Sequence, residues 1–132
     1  MDATPPPPIV LDYPVFDTTN PARDGRFWAQ LLHGVISRDD EDWYEVTYGN
    51  GERLCFQLAA NHVSPDWPEG QQQVHLDFVV DADRVEEAHR HALSVGAQVL
   101  HPSDGPQVRD GEGGFVAYAD PSGHPFCFCW RQ

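Results

Sequence analysis

His75 and Asp77 stand two residues apart in the run 72–81, and that spacing is the sharpest chemical signal in the chain. Residues two apart on an extended strand share a face. An imidazole beside a carboxylate can serve as a base with an adjacent acid, or as a pair of metal ligands. Cys127 and Cys129 repeat the spacing. They alternate with Phe126, Phe128 and Trp130, so both thiols point away from the aromatic side. By the same parity Cys55 shares a face with Gln57. If these faces line one cleft, Cys55, Gln57, His75, Asp77, Cys127 and Cys129 converge. A soft Zn²⁺ site or a thiol paired with His75 would then be chemically available. The plain alternatives are a histidine satisfied on a half-polar face and cysteines acting as small hydrophobes. The cysteine spacing matches no zinc signature.

Trp67 lies in a proline-rich loop and is the best aromatic candidate for stacking on a ligand. His124 follows an Asp120-Pro121-Ser122-Gly123 turn and reads as a turn residue at a cleft rim. His33, His62, His89, His91 and His101 show no ligand spacing. The chain has no glycine-rich phosphate loop and no G-x-S-x-G motif.

These residues need elements to hold them. In the run 72–81, Val74, Leu76, Phe78 and Val80 alternate with polar neighbours, which predicts a strand with one apolar face. Before it, residues 9–17 read as a strand interrupted by Pro14. Asn20 and Pro21 then open a helix, with Phe27, Trp28, Leu31 and Leu32 on its apolar side and Gly34 at its end. Residues 35–38, 43–48 and 53–60 are expected strands. An acidic turn (residues 39–42) and a Gly49-Asn50-Gly51 hairpin separate them. Residues 81–95 are an expected helix burying Val85, Ala88, His89, Ala92 and Leu93, stopped by Gly96. Residues 98–101, 115–119 and 125–131 complete the strands. The order strand, helix, three strands therefore occurs twice, and an internal duplication explains it most simply. The expected class is α+β, with two tandem βαβββ modules forming a curved mixed sheet around a cleft. Residues 1–8 are a proline-rich tail. Residues 9–132 form one domain: module 1 at about 9–60, a linker at 61–72 and module 2 at about 73–132.

The 132 residues carry 8 basic and 21 acidic side chains, a net charge of −13. Nucleic acid and anionic membranes would be repelled, so neither is expected as a partner. Three cysteines in a chain of this length do not make a disulfide framework. No apolar run is long enough to span a bilayer and no signal peptide is visible, so a cytoplasmic location is expected by elimination.

Three stretches carry a resemblance. They are the helix end Phe27-Trp28-Ala29-Gln30-Leu31-Leu32-His33-Gly34, the strand Val74-His75-Leu76-Asp77-Phe78-Val79-Val80, and the turn Asp120-Pro121-Ser122-Gly123-His124-Pro125-Phe126. In this order and spacing the chain resembles the vicinal oxygen chelate superfamily of glyoxalases, bleomycin-resistance proteins and extradiol dioxygenases. It is most similar to small bacterial glyoxalase-like proteins. The resemblance implies a small-molecule ligand, a homodimer and, in metal-using members, one divalent ion held by four side chains. Carried over by position, the four slots fall near Tyr13, Gln57, His75 and Cys127. Only His75 is the usual ligand type, so a bound ion would rest on His75 and Gln57, and no cofactor is firmly implied. The expected cleft is formed by Tyr13, Gln57, Trp67, Cys127 and Cys129, with His75 and Asp77 as candidate catalytic groups. Three readings stay open: a small-molecule-binding protein, a metal-dependent lyase, isomerase or dioxygenase-type enzyme using His75, and a non-catalytic dimeric interaction protein.

Overall fold

The computed structural model of the chain describes residues 11–70 and 74–131. The proline tail expected at residues 1–8 and the first residues of the central strand, 72–73, lie outside the described residues. The element order is β1 (Val15–Thr18), α1 (Pro21–Leu32), β2 (Val35–Asp40), β3 (Trp43–Tyr48), β4 (Glu52–Leu58), β5 (Leu76–Val79), a 3-10 turn (Ala82–Arg84), α2 (Val85–Ser94), β6 (Gln98–His101), β7 (Gly114–Ala119) and β8 (Pro125–Trp130). The chain builds two four-stranded mixed sheets, ordered β1-β4-β3-β2 and β5-β8-β7-β6. In each, the first strand runs parallel to the fourth and the other pairings are antiparallel. This is the expected α+β pair of βαβββ modules.

Local chemistry sets the ends of the elements. The Asn20 side chain accepts a hydrogen bond from the Arg23 backbone N–H at 3.1 Å, and Pro21 takes the first helical position. His33 closes α1 in the left-handed conformation, with φ of 53°, and the Gly34 N–H donates to the Ala29 carbonyl at 2.8 Å. Gly34 cannot be larger, since a Cβ there would lie 2.7 Å from the Thr47 carbonyl oxygen.

Several boundaries differ from the sequence expectation. β1 starts only at Val15, after Pro14, which has no N–H to give a ladder. β5 starts at Leu76, paired with Phe126. One step earlier in the same register His75 faces Pro125, which again lacks a donor. Val74, expected on the buried face, is therefore 72% exposed. Asp39 and Asp40 belong to β2 rather than to a turn. Leu93, expected on the buried side of α2, is exposed, because the helix begins at Val85 and buries chiefly Val85 and Ala92.

One core joins the modules. Trp28 of α1 is fully buried and meets Phe16 of its own module as well as Phe78 and Phe126 of the other. Phe56, Tyr118 and Phe128 extend the cluster. Each large apolar side chain buried this way contributes about 1.5–3 kcal/mol. The opposite face carries Asp17, Glu45, Cys55 and Gln57 on the first sheet and Asp77, Phe115, Ala117 and Cys127 on the second.

Candidate functional site

On the face of the second sheet away from the core, His75 Nε2 lies 3.1 Å from Asp77 Oδ1. Asp77 pairs across strands with Cys127. One ligand atom each from His75, Asp77 and Cys127 lies within 4.8 Å of the others. His75 and Asp77 are exposed, while Cys127 is buried beneath them. Burial, reinforced by Asp77, pushes the Cys127 thiol up to about 12 and raises that of Cys129 as well. Both are therefore thiols, not thiolates, near neutrality. The same cross-strand row continues through Ala117 to His101. Trp67 sits against His101, with ring centroids 6.5 Å apart.

The first sheet offers the corresponding positions. Phe16 pairs with Phe56 as Phe78 pairs with Phe128. Counting back from these pairs, Tyr13 corresponds to His75, Val15 to Asp77 and Cys55 to Cys127. Gln57, carried over by resemblance as a ligand slot, corresponds instead to Cys129. Gln57 is exposed between Asp17 and Trp43. The Tyr13 ring packs edge-on to Trp43 and under the Arg53 guanidinium, 4.7 Å away. Arg53 bonds Glu45 at 3.3 Å, and it also pairs with Asp12. Glu45 lies opposite Cys55; burial first, then this carboxylate, pushes the Cys55 thiol up to about 11.

A cleft of about 520 Å³ lies where the modules meet. Its apolar wall includes Val15, Phe16 and Val74, and its polar groups are Asp17, His62, His75 and His124. His75 stands on the wall of this cleft, and Asp77 does not. Among the described residues, Trp67, Cys127 and Cys129 do not line it, and neither do Tyr13 and Gln57.

His124 is more than a turn residue. Its Nδ1 lies 2.7 Å from Asp120 Oδ2 and its Nε2 lies 2.8 Å from the Asp17 carbonyl oxygen. Both partners only accept, so both ring nitrogens carry hydrogen and the ring is an imidazolium. Burial opposes that charge, but the Asp120 hydrogen bond and charge, with the Asp17 carbonyl, outweigh it and hold the pKa above the usual histidine value. Asp120 also accepts from Trp28 Nε1 at 2.9 Å and from the backbone N–H groups of Ser122 and His124. Asp24, fully buried on α1, pairs with Arg23 at 3.0 Å and accepts from the Ser122 hydroxyl. This network ties module 1 to the turn of module 2. The Asp-Pro-Ser-Gly-His run was its visible half; nothing in the local sequence of Asp24 signals its partner 98 positions away.

The residues do not fit the hard divalent ion that the resemblance implies. Such ions take carboxylate and water oxygens. The four slots hold a phenol engaged by Arg53, an exposed amide, one imidazole and a protonated thiol. That donor set gives a hard ion no role in the chemistry of this chain.

Two four-stranded sheets from tandem βαβββ units, meeting at a cleft, define a protein of the glyoxalase fold. A family model described as "Glyoxalase-like domain" matches residues 14–129, and the chain belongs to that family, within the vicinal oxygen chelate group. No curated protein matches the sequence. Among solved structures, a glyoxalase/bleomycin resistance protein/dioxygenase family enzyme from Burkholderia phytofirmans PsJN is 14% identical, with a TM-score of 0.69 over 92% of this chain and 98% of that one. The genomically encoded fosfomycin resistance protein FosX from Listeria monocytogenes, complexed with Mn(II) and sulfate, is 15% identical, with a TM-score of 0.68 over 93% and 90%. A glyoxalase-related enzyme from Fulvimarina pelagi is 15% identical, with a TM-score of 0.70 over 92% and 88%. At these identities the likeness establishes the fold alone. Among the described residues, no helix is long and apolar enough to cross a membrane.

Proposed function

We propose that the protein binds a small organic molecule in the cleft between its modules, with His75 as the principal polar contact. The observation that supports this is the cleft itself. Its volume of about 520 Å³ suits a small ligand. Its apolar wall of Val15, Phe16, Val63 and Val74 would take a hydrocarbon body. His62 and His75 would take a polar group. His124 is already engaged by Asp120 and Asp17, so it fixes the wall rather than contacting the ligand. The hard-ion lyase or dioxygenase reading has the weaker support, because one imidazole alone is a poor anchor for such an ion.

A homodimer is part of this reading. Phe115 and Val79 lie on the face of the second sheet away from the core and are 45% and 71% exposed. A second copy would cover them. Sedimentation or light scattering should give twice the chain mass; a monomer at high concentration would remove this part.

The test of the ligand site is a fragment screen by thermal shift on wild type, His75→Ala and Gln57→Ala. Hits should be lost in His75→Ala and kept in Gln57→Ala. Hits that survive His75→Ala would place the site elsewhere.

A further inference from the structure

The acidic and basic groups around the two largest features of the surface are mostly paired. The Asp24–Asp120–His124 group is taken by Arg23, Trp28, Ser122 and the Asp17 carbonyl and is a structural network. In the groove of about 570 Å³ beside Leu31, Phe78 and His91, Arg84 is held by Glu87. The cleft of about 520 Å³ between the modules differs, because one charge on its wall has no partner.

We propose that this cleft selects a small organic cation, a compact apolar body bearing an ammonium group, and that Asp17 is the residue that selects it. The inference rests on the cleft reading and goes beyond it in naming the charge of the ligand and the side chain that reads that charge. No lysine or arginine lines the cleft. The His124 imidazolium has its counter-charge, Asp120, at 2.7 Å. Asp17 makes no ion pair among the described residues. Its neighbour across the ladder is Gln57, an uncharged amide.

The fold fixes Asp17 without using its side chain. Its backbone carbonyl accepts from His124 Nε2 at 2.8 Å, and its strand is held in register on β4. The residue is exposed and lines the cleft. The other polar groups suit a ligand that donates, and an ammonium group only donates. His75 Nε2 faces the Asp77 carboxylate, which only accepts, so that nitrogen carries the hydrogen and the neutral ring presents Nδ1 as an acceptor. The His62 ring packs on His124, with centroids 5.1 Å apart, and its nitrogens make no hydrogen bond among the described residues. In its neutral form it also offers one acceptor nitrogen. Val63 and Val74, 82% and 72% exposed, would be covered by the apolar body. An anionic ligand would meet Asp17 as a like charge, while both N–H groups of the His124 imidazolium are already committed. The net charge of −13 acts in the same direction, drawing cations to the surface and repelling anions.

The test is a titration of the full chain, followed by NMR, with three probes that share a ring and differ in charge: benzylamine, benzyl alcohol and benzoate. Benzylamine should bind about fivefold more tightly than benzyl alcohol, the size of one exposed ion pair. Benzoate should bind more weakly than either. Added salt should narrow the preference for the amine. Asp17→Asn should bring the ratio of amine to alcohol affinity to about one. Asp83→Asn removes the same charge from an exposed position outside the cleft and should leave the ratio unchanged, which separates a local pair from the overall field. Equal affinities in wild type, a preference that survives Asp17→Asn, or benzoate as the tightest probe would overturn the proposal. Benzyl alcohol binding that is lost in His75→Ala, with no preference for the amine, defeats the cation alone and leaves the cleft standing. Failure of all three probes to bind defeats the cleft reading and the cation with it.

Discussion

The two modules share a strand order, a register and a cysteine at the same position, yet they put that cysteine in different surroundings. In the first, Cys55 faces Glu45, which is held by Arg53, and Tyr13 lies under the same guanidinium. The polar groups there satisfy one another. In the second, Ala117 replaces Glu45 opposite Cys127. No ion pair among the described residues brings an arginine to Asp77; its partner is His75, and the thiol lies beside both. The difference is one of neighbours, not of scaffold. A duplicated unit can keep its fold in both copies while one copy closes its face with an ion pair and the other leaves its donors open.

The largest expected effect comes from the seam that holds the copies together. Asp120→Ala removes the acceptor for Trp28, for two backbone N–H groups and for the charged His124. Breaking a buried pair on one side costs about 3–5 kcal/mol. Urea denaturation should show that loss. A cost under about 1 kcal/mol, the range of exposed ion pairs, would mean that the modules are not joined there.

His124 gives the next effect, and it depends on pH. Its folded pKa is raised. The stability it adds is therefore fully present below the unfolded value of about 6.5 and is lost as pH rises through the folded pKa. Hydrogen bonds to charged groups contribute about 1.5–3 kcal/mol. The difference in unfolding free energy between wild type and His124→Gln should be of that size at about pH 5.5, below the unfolded pKa, and should shrink toward alkaline pH. A difference that grows with pH would contradict the imidazolium.

The cysteines sharpen the comparison more gently. Timed alkylation followed by mass spectrometry should label the half-buried Cys129 first, with Cys55 and Cys127 slow at neutral pH. Both are buried, and their thiols are pushed up to about 11 and about 12. Fast labelling of Cys127 would mean that its corner opens. The smallest effect is expected at the closed face. Glu45→Ala removes a partly exposed pair and should cost no more than about 1 kcal/mol.

Much of the fold was legible because its signals are local. Alternation at Leu76 and Phe78 and the Asn20-Pro21 helix start are read within short windows, and the brackets Asp17 to Gly34 and Asp81 to Gly96 repeat around the two helices, which implies the topology. The ends of β1 and β5 were less legible, since they depend on which residue lies across the ladder. Pro14 was visible as an interruption of the first strand, but Pro125 limits β5 from the neighbouring strand, a position the pattern of β5 alone does not reveal. Of the candidate site, the His75–Asp77 pair and the shared face of Cys127 could be read from parity alone. That Cys127 sits directly opposite Asp77 required the register. The junction of Asp24, Ser122 and Asp120 was invisible, because its partners are brought together only by packing Trp28 against the second sheet. The convergence of Cys55 with the other five residues was conditional on their faces lining one cleft, and parity within single strands could not decide that condition. Among the described residues, Cys55 belongs to neither cluster of metal-binding side chains.

Tyr13 and His75 hold equivalent positions, so replacing each in turn asks whether the modules have parted in role. Calorimetric titration of the tightest fragment hit should be made against wild type, His75→Ala and Tyr13→Ala. Binding should be lost in His75→Ala and unchanged in Tyr13→Ala. Equal loss in both variants, or loss in Tyr13→Ala alone, would contradict a division of roles between the modules.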